Sequence, residues 1–317
     1  MKKKSELIVV DIETFYSYFC VVNYDVNTKQ YVNFEICREV NDLALMKKYY
    51  GALKKTDYLV TFNGLDFDWP ILDWILNQKT VSAKMIYKYT QKIIQAPVKD
   101  KWKYRPKFNK IGQIDLFKLN HYDRFGISLK YLQFTTNWKK MQDLPYHHGD
   151  DLSRIQEKEV LLYCVNDVDS TYHFFKECKD KIALRFKLSK AYSKNMVNLP
   201  DAQMGESIVL HKYADAVGKD PKELSKLRTH RDIVHIKDII FKYVNFKTAE
   251  FNTVLTQFKN IIIDSVNSEF KIEQSFRSTQ YDFGLGGIHS SKIGVFDEDD
   301  EYIIRDWDVK MVASKTA

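Results

Sequence analysis

At 317 residues, 44% hydrophobic and 14% aromatic, the chain has the length for two domains and the apolar content for a sizeable core. Only 11 glycines and 6 prolines argue against a low-complexity or loop-dominated chain. With 49 basic against 42 acidic residues the net charge is +7, which favours a polyanionic partner, although a solvated basic surface accounts for the charge equally well.

Cys20, Cys37, Cys164 and Cys178 form no CxxC pair and no zinc-spaced cluster, so they read as buried or free thiols of a reducing compartment. The Met-Lys-Lys-Lys start lacks the apolar core of a signal peptide. No run of about eighteen apolar residues predicts a membrane span. The expectation is a cytoplasmic protein.

Leu7 to Val10 is a short apolar strand that runs into Asp11-Ile12-Glu13-Thr14. Alternate side chains of a strand share a face, so Asp11 and Glu13 project together while Val10 and Ile12 face the other way. Adjacent carboxylates repel, and their burial is costly unless a cation sits between them. Hard oxygen ligands on one face suit Mg²⁺ or Mn²⁺. Taken alone, such a pair is more often a strand end with two solvated acids.

Residues 18–24 and 30–36 read as a hairpin around a polar turn at 25–29. Residues 41–55 carry apolar side chains at helical spacing, with Asn41 as cap. A second strand, 58–62, ends in Asn63-Gly64-Leu65-Asp66-Phe67-Asp68. Gly64 permits a tight turn, and Pro70 suits the first turn of a helix from about Trp69 to Leu76. Asp68 then stands at a strand-to-helix junction, where by itself helix capping is the simpler role.

Residues 81–106 interleave lysines, among them Lys84, Lys88 and Lys92, with Tyr87, Tyr89, Trp102 and Tyr104. Cations that meet phosphates and rings that stack on bases suit a nucleic-acid single strand. A solvated, partly helical flap fits the pattern equally well. Ile114-Asp115-Leu116 is another strand-end acid, and Ser128 begins a helix. His147-His148-Gly149-Asp150-Asp151 reads as a polar loop rather than a metal site. A strong helix covers 157–175, on which Tyr163 and Asp167 share a face one turn apart. An exposed pair on an amphipathic helix is the plain reading of that spacing.

The order of these pieces is more specific than any of them. A strand acid pair, an Asn-x-x-x-Phe-Asp turn and a helical Tyr-x-x-x-Asp resemble the tyrosine-bearing branch of the DEDD superfamily of 3′–5′ exonucleases, over about the first 180 residues. The resemblance implies catalytic, metal-holding roles for Asp11, Glu13, Asp68 and Asp167. It implies two divalent ions, Mg²⁺ or Mn²⁺, about 4 Å apart. It further implies that Tyr163 orients the attacking water and that Asn63 and Phe67 meet the substrate. With an ordinary pKa near 10, Tyr163 is expected to act by hydrogen bonding rather than as a strong base. The implied fold is an α/β, RNase H-like domain with a mixed sheet and flanking helices.

Residues 181–270 read as a mostly helical connecting region, with helices over 182–194, 202–217, 236–246 and 249–263. Phe251, Leu255, Phe258 and Ile262 form a stripe expected to be core. Residues 270–276 alternate like a strand, and Phe283-Gly284-Leu285-Gly286-Gly287-Ile288-His289 follows as a glycine-rich hairpin or a close approach to a ligand. Residues 302–309 read as a strand that carries Asp308. Gly-Gly-Ile-His ahead of Asp308-Val309-Lys310 resembles viral family B DNA polymerases, and implies that Asp308 is a remnant palm metal ligand. Met311-Val312-Ala313-Ser314 departs from the family's Tyr-Pro-Ser ending, and the later polymerase motifs do not follow before Ala317.

The expected organisation is therefore an RNase H-like 3′–5′ exonuclease domain over 1–180, a helical region over 181–270, and the β-rich start of a truncated polymerase palm over 271–317. The implied function is the proofreading portion of a phage-type DNA polymerase, acting on single-stranded or primer-template DNA in the host cytoplasm. Polymerisation by this chain alone is not expected. A separate chain with the remaining palm, fingers and thumb is a candidate partner. The alternatives are a standalone DEDD nuclease acting on RNA or DNA, and a non-enzymatic nucleic-acid-binding fragment that complements a polymerase.

Overall fold

A computed structural model describes residues 5–106, 111–122, 126–224, 226–227, 231–264, 270–276, 279–284 and 287–292. The chain divides into two compact units, Met1–Gly218 and Lys219–Ala317. No helix among the described residues is long and apolar enough to cross a membrane.

The first unit is α/β, built on a mixed five-stranded sheet in the order β3-β2-β1-β4-β5. Its central strand is β1 (Leu7–Thr14), and β2 (Phe19–Asp25) and β3 (Gln30–Ile36) follow it as an antiparallel meander. The turn between β2 and β3 is held by Asp25, whose Oδ1 accepts from the Asn27 N–H at 2.7 Å. On the other side of β1, β4 (Tyr58–Thr61) and β5 (Gly112–Asp115) run parallel to it. Parallel neighbours need crossovers. Helix α1 (Leu43–Ala52) precedes β4, and α2 (Asp68–Leu76) and α3 (Ala83–Gln95) link β4 to β5. After β5 come α4 (Leu116–Leu119), α5 (Leu129–Thr135), the long α6 (Arg154–Glu177), α7 (Lys179–Ala191) and α8 (Asp201–Val217).

Strand parity sorts the core into two layers. Ile8, Val10 and Ile12 face α1, α2 and α3, where Met46, Ile71, Ile75 and Ile86 complete one cluster. Val9, Cys20, Val22, Val60 and Ile114 face α6 and pack on Val160, Cys164 and Val168. Asp11 and Glu13 share the parity of Val9, so they turn toward α6. That helix starts at a capping box: the Ser153 side chain accepts from the Gln156 N–H, and the Gln156 side chain accepts from the Ser153 N–H at 2.9 Å. The hairpin, the α2 helix and the α6 helix follow their expected periodicities. Asn41 lies one residue outside the α1 cap position, which Asp42 takes, although the Asn41 Oδ1 accepts from the Leu43 N–H at 3.3 Å.

The second unit differs from the expected helical region. The helix expected over 236–246 is one turn, α10 (Ile236–Ile239), after the short α9 (Pro221–Leu224). The helix expected over 249–263 is α11 (Ala249–Lys259) and stops before Ile262. Residues on either side of these helices pair instead, β6 (Ile233–His235) running antiparallel to β7 (Ile262–Asp264). The reason is β-branching: Ile233, Val234, Ile262 and Ile263 fit a pleated surface better than a helix. Beyond them β8 (Lys271–Phe276), β9 (Thr279–Gly284) and β10 (Gly287–Lys292) form an antiparallel meander. The glycine-rich segment is thus a hairpin, with Gly284 opposite Gly287. Phe251 and Phe258 of the stripe pack edge-on against Phe283, centroids 6.0 Å away in each pair. Asp308 and the strand expected over 302–309 lie outside the described residues.

Candidate metal centre

The acids of β1 meet those of two helices. Asp11 and Glu13 on β1 and Asp167 on α6 bring carboxylate oxygens within 4.8 Å of one another. Asp68, at the first position of α2, joins them electrostatically, for its charge acts on both Asp11 and Glu13. Like charges held together in a poorly hydrated site resist ionisation. Burial, and then the charges of Asp68, Asp167 and Glu13, hold the Asp11 carboxyl well above the usual carboxylate range, against the Cys164 thiol, which donates to its Oδ2 at 3.5 Å. Burial, and then Asp167 and Asp68, push Glu13 up to about 8. Asp68 is pushed up to about 7, chiefly by burial, although its own backbone N–H and that of Ile12 hydrogen-bond its carboxylate.

Tyr163 stands one turn before Asp167 on the same face of α6. Burial, and then the charges of Asp167 and Glu13, raise its hydroxyl above the ordinary tyrosine range, so it remains a protonated donor. The expected Asp11, Glu13, Asp68, Tyr163 and Asp167 therefore converge.

Lys130 and Gln133 of α5 also reach the cluster. Lys130 Nζ lies 3.0 Å from Asp167 Oδ1, and Gln133 Nε2 donates to the same oxygen at 2.9 Å. The Lys130 ammonium also sits over the Tyr163 ring, 4.3 Å from its centroid. Spacing alone does not reveal this role, since Lys130 lies more than thirty residues in sequence from both Tyr163 and Asp167. The available signal was the Ser128 cap, whose Oγ accepts from the Tyr131 N–H at 3.1 Å and so sets the phase of α5.

Asp68 is placed by a turn that Asp115 braces. The Asp115 carboxylate, fully buried at the end of β5, accepts from the backbone N–H groups of Asn63 and Leu65, each at 3.0 Å. It also caps α4 through the N–H groups of Phe117 and Lys118. Asn63 adopts a left-handed φ of 65°, and its backbone oxygen accepts from the Asp66 N–H. A Cβ on Gly64 would lie 2.2 Å from Thr61 Oγ1, so the turn passes against β4 where only glycine fits. The Trp69 N–H then bonds the Gly64 oxygen at 2.8 Å and starts α2. Phe67 is partly buried against the α2-side core. Asn63 and Phe67 thus have structural work in this turn besides any contact with substrate. The His147–Asp151 segment is a loop, as its polarity suggests; His148 Nδ1 lies 3.1 Å from the Thr14 oxygen.

Asp11, Glu13 and Asp68, whose carboxyls have a raised affinity for protons, form with Asp167 a hard-oxygen donor set that divalent Mg²⁺ or Mn²⁺ would relieve of its repulsion. No protein-family model matches the chain, and no curated protein gives a significant match.

Proposed function

We propose that the first unit is a metal-dependent 3′–5′ exonuclease of RNase H-like fold, which hydrolyses terminal phosphodiesters of single-stranded or frayed DNA. The observation that carries this reading is the meeting of Asp11 and Glu13 with Asp167, more than 150 residues away in sequence, with Asp68 and the Tyr163 hydroxyl alongside. The 3-2-1-4-5 sheet with helices on both faces is compatible with that fold.

In this reading Asp11, Glu13, Asp68 and Asp167 hold two divalent ions. Such ions, when bound, stabilise negative charge on the attacking and leaving oxygens of the phosphodiester. The Tyr163 hydroxyl, one turn from Asp167 and protonated, orients the attacking water by hydrogen bonding. Lys130 positions Asp167 and adds positive charge beside the phosphate. We read the glycine-rich hairpin and Asp308 as belonging to a family B-like DNA polymerase, on the strength of their sequence order.

The test is incubation of a 5′-labelled single-stranded DNA with Mg²⁺ or Mn²⁺, beside an Asp11→Ala/Glu13→Ala variant. A 3′-shortening ladder from the unaltered protein alone is expected. The same assay on RNA chooses between polynucleotides. Absence of shortening from folded protein would leave a nucleic-acid-binding fragment as the better account.

A further inference from the structure

We infer that Tyr16, Tyr87 and the lysine stripe Lys84–Lys88–Lys92 of α3 form a ledge that holds a single-stranded polynucleotide, its bases on the rings and its phosphates on the lysines. The ledge deepens the exonuclease reading, which it relies on only for the direction in which the strand enters.

Tyr16 follows Glu13 by three residues, at the end of the strand that carries the acids. Its backbone N–H donates to the His148 oxygen at 2.9 Å, so its position is fixed by the loop rather than free. The Tyr87 ring meets it edge-on, centroids 5.9 Å apart. Lys84 Nζ lies 4.9 Å from the centroid of the same Tyr16 ring. Both tyrosines are only partly buried, so each keeps ring surface open to solvent. A mixed site of cation and partly open ring is the chemistry that single strands use, because every base has a π-face and every linkage a charge.

Lys84, Lys88 and Lys92 are exposed and recur every four residues, about 6 Å apart along the axis. None forms an ion pair among the described residues. Other members of the same basic-aromatic segment are committed elsewhere. Tyr89 stacks on Trp74 at 4.5 Å, Lys103 pairs with Asp100 at 2.7 Å, and Arg105 pairs with Asp66. On the face toward Tyr16, Lys88 and Lys92 have no ion pair among the described residues, and the rings of Tyr16 and Tyr87 are only partly covered by each other and by Lys84. The helix that presents them is anchored by buried Ile86, Thr90 and Ile93, so little ordering is lost on binding.

The experiment measures anisotropy of a fluorescein-labelled oligo(dT) on the full chain in EDTA, across 50–200 mM NaCl, where no hydrolysis intervenes. Each lysine that neutralises a phosphate contributes about 0.7 to the slope of log K against log salt. The Lys84→Gln/Lys88→Gln/Lys92→Gln variant is expected to lose about 2 from that slope and at least tenfold in affinity at 50 mM. Tyr87→Ala is expected to weaken binding about fivefold or more with the slope unchanged, because a ring carries no charge. A control, Lys179→Gln/Lys187→Gln/Lys190→Gln on α7, removes the same charge from another exposed surface. Equal loss in the control, an unchanged slope in the α3 variant, or equal weakening toward duplex DNA would overturn the ledge; thermal unfolding verifies that each variant is folded. Binding here is read without metal. A ledge that fails therefore leaves strand shortening by the unaltered protein intact, and an exonuclease reading that fails leaves the slope intact.

Discussion

Lys130 Nζ stands 3.0 Å from Asp167 Oδ1 and 4.3 Å from the Tyr163 ring centroid, so one ammonium touches both signature residues of α6. It is the cation that offsets part of the repulsion among the acids, and it pulls the Glu13 carboxyl downward. Lys130→Met should leave Asp167 poorly compensated and cost about 1–3 kcal/mol in the metal-free protein. For a unit of this size that is a fall of roughly 2–10 °C in Tm. Saturating Mn²⁺ should recover most of it, because the metal takes over the compensation. An equal loss in Mn²⁺ and in EDTA, by differential scanning fluorimetry, would assign Lys130 a purely structural role.

Asp11→Asn removes one of the mutually repelling charges without changing volume. The metal-free variant should melt higher than the unaltered protein at pH 8, by a few degrees. It should also lose the Mn²⁺-dependent rise in Tm, together with strand shortening. A variant that melts lower in EDTA yet keeps its metal response would contradict the electrostatic account of the cluster.

The raised carboxyls set a pH dependence of definite sign. Glu13 at about 8, Asp68 at about 7 and Asp11, also raised, hold protons that the unfolded chain releases near pH 4. Between those values the folded state binds more protons, so metal-free stability should fall as pH rises from about 4 to 8. Metal binding displaces those protons, and the Tm increment from Mn²⁺ should therefore be larger at pH 8 than at pH 5.5. Melting curves in EDTA and in Mn²⁺ across that range decide the point; an increment that stays flat with pH would count against a metal held by these acids.

Tyr163→Phe keeps the ring under Lys130 and removes only the hydroxyl. Strand shortening should slow by about 10²-fold, while the Mn²⁺ shift in Tm persists. Equal rates for the two proteins would remove Tyr163 from the reaction.

The turn that places Asp68 is sensitive at one atom. Gly64→Ala puts a Cβ 2.2 Å from Thr61 Oγ1 and should cost about 1–3 kcal/mol, with loss of shortening as α2 shifts. Asn63→Gly, at a φ of 65°, suits the backbone and should leave Tm within a degree or two. Urea midpoints of the two variants measure the contrast.

Much of the first unit was legible because its signals are local. Alternation in β1 dictated that Asp11 and Glu13 share a face, and four-residue spacing dictated the same for Tyr163 and Asp167. The strand-turn-helix chemistry of residues 58–76 announced itself through Gly64 and Pro70. The second unit was less legible, since Ile262 continues the helical stripe of Phe251, Leu255 and Phe258 as well as it suits a strand, until β7 finds β6. Tertiary structure alone decided that Lys130 and Gln133 would reach Asp167, that Asp115 would brace the turn, and that Tyr87 and Lys84 would meet Tyr16. Periodicity records which face of an element a side chain occupies; which distant element covers that face is settled by packing two cores on one twisted sheet, and the acid cluster exists only once that packing is complete.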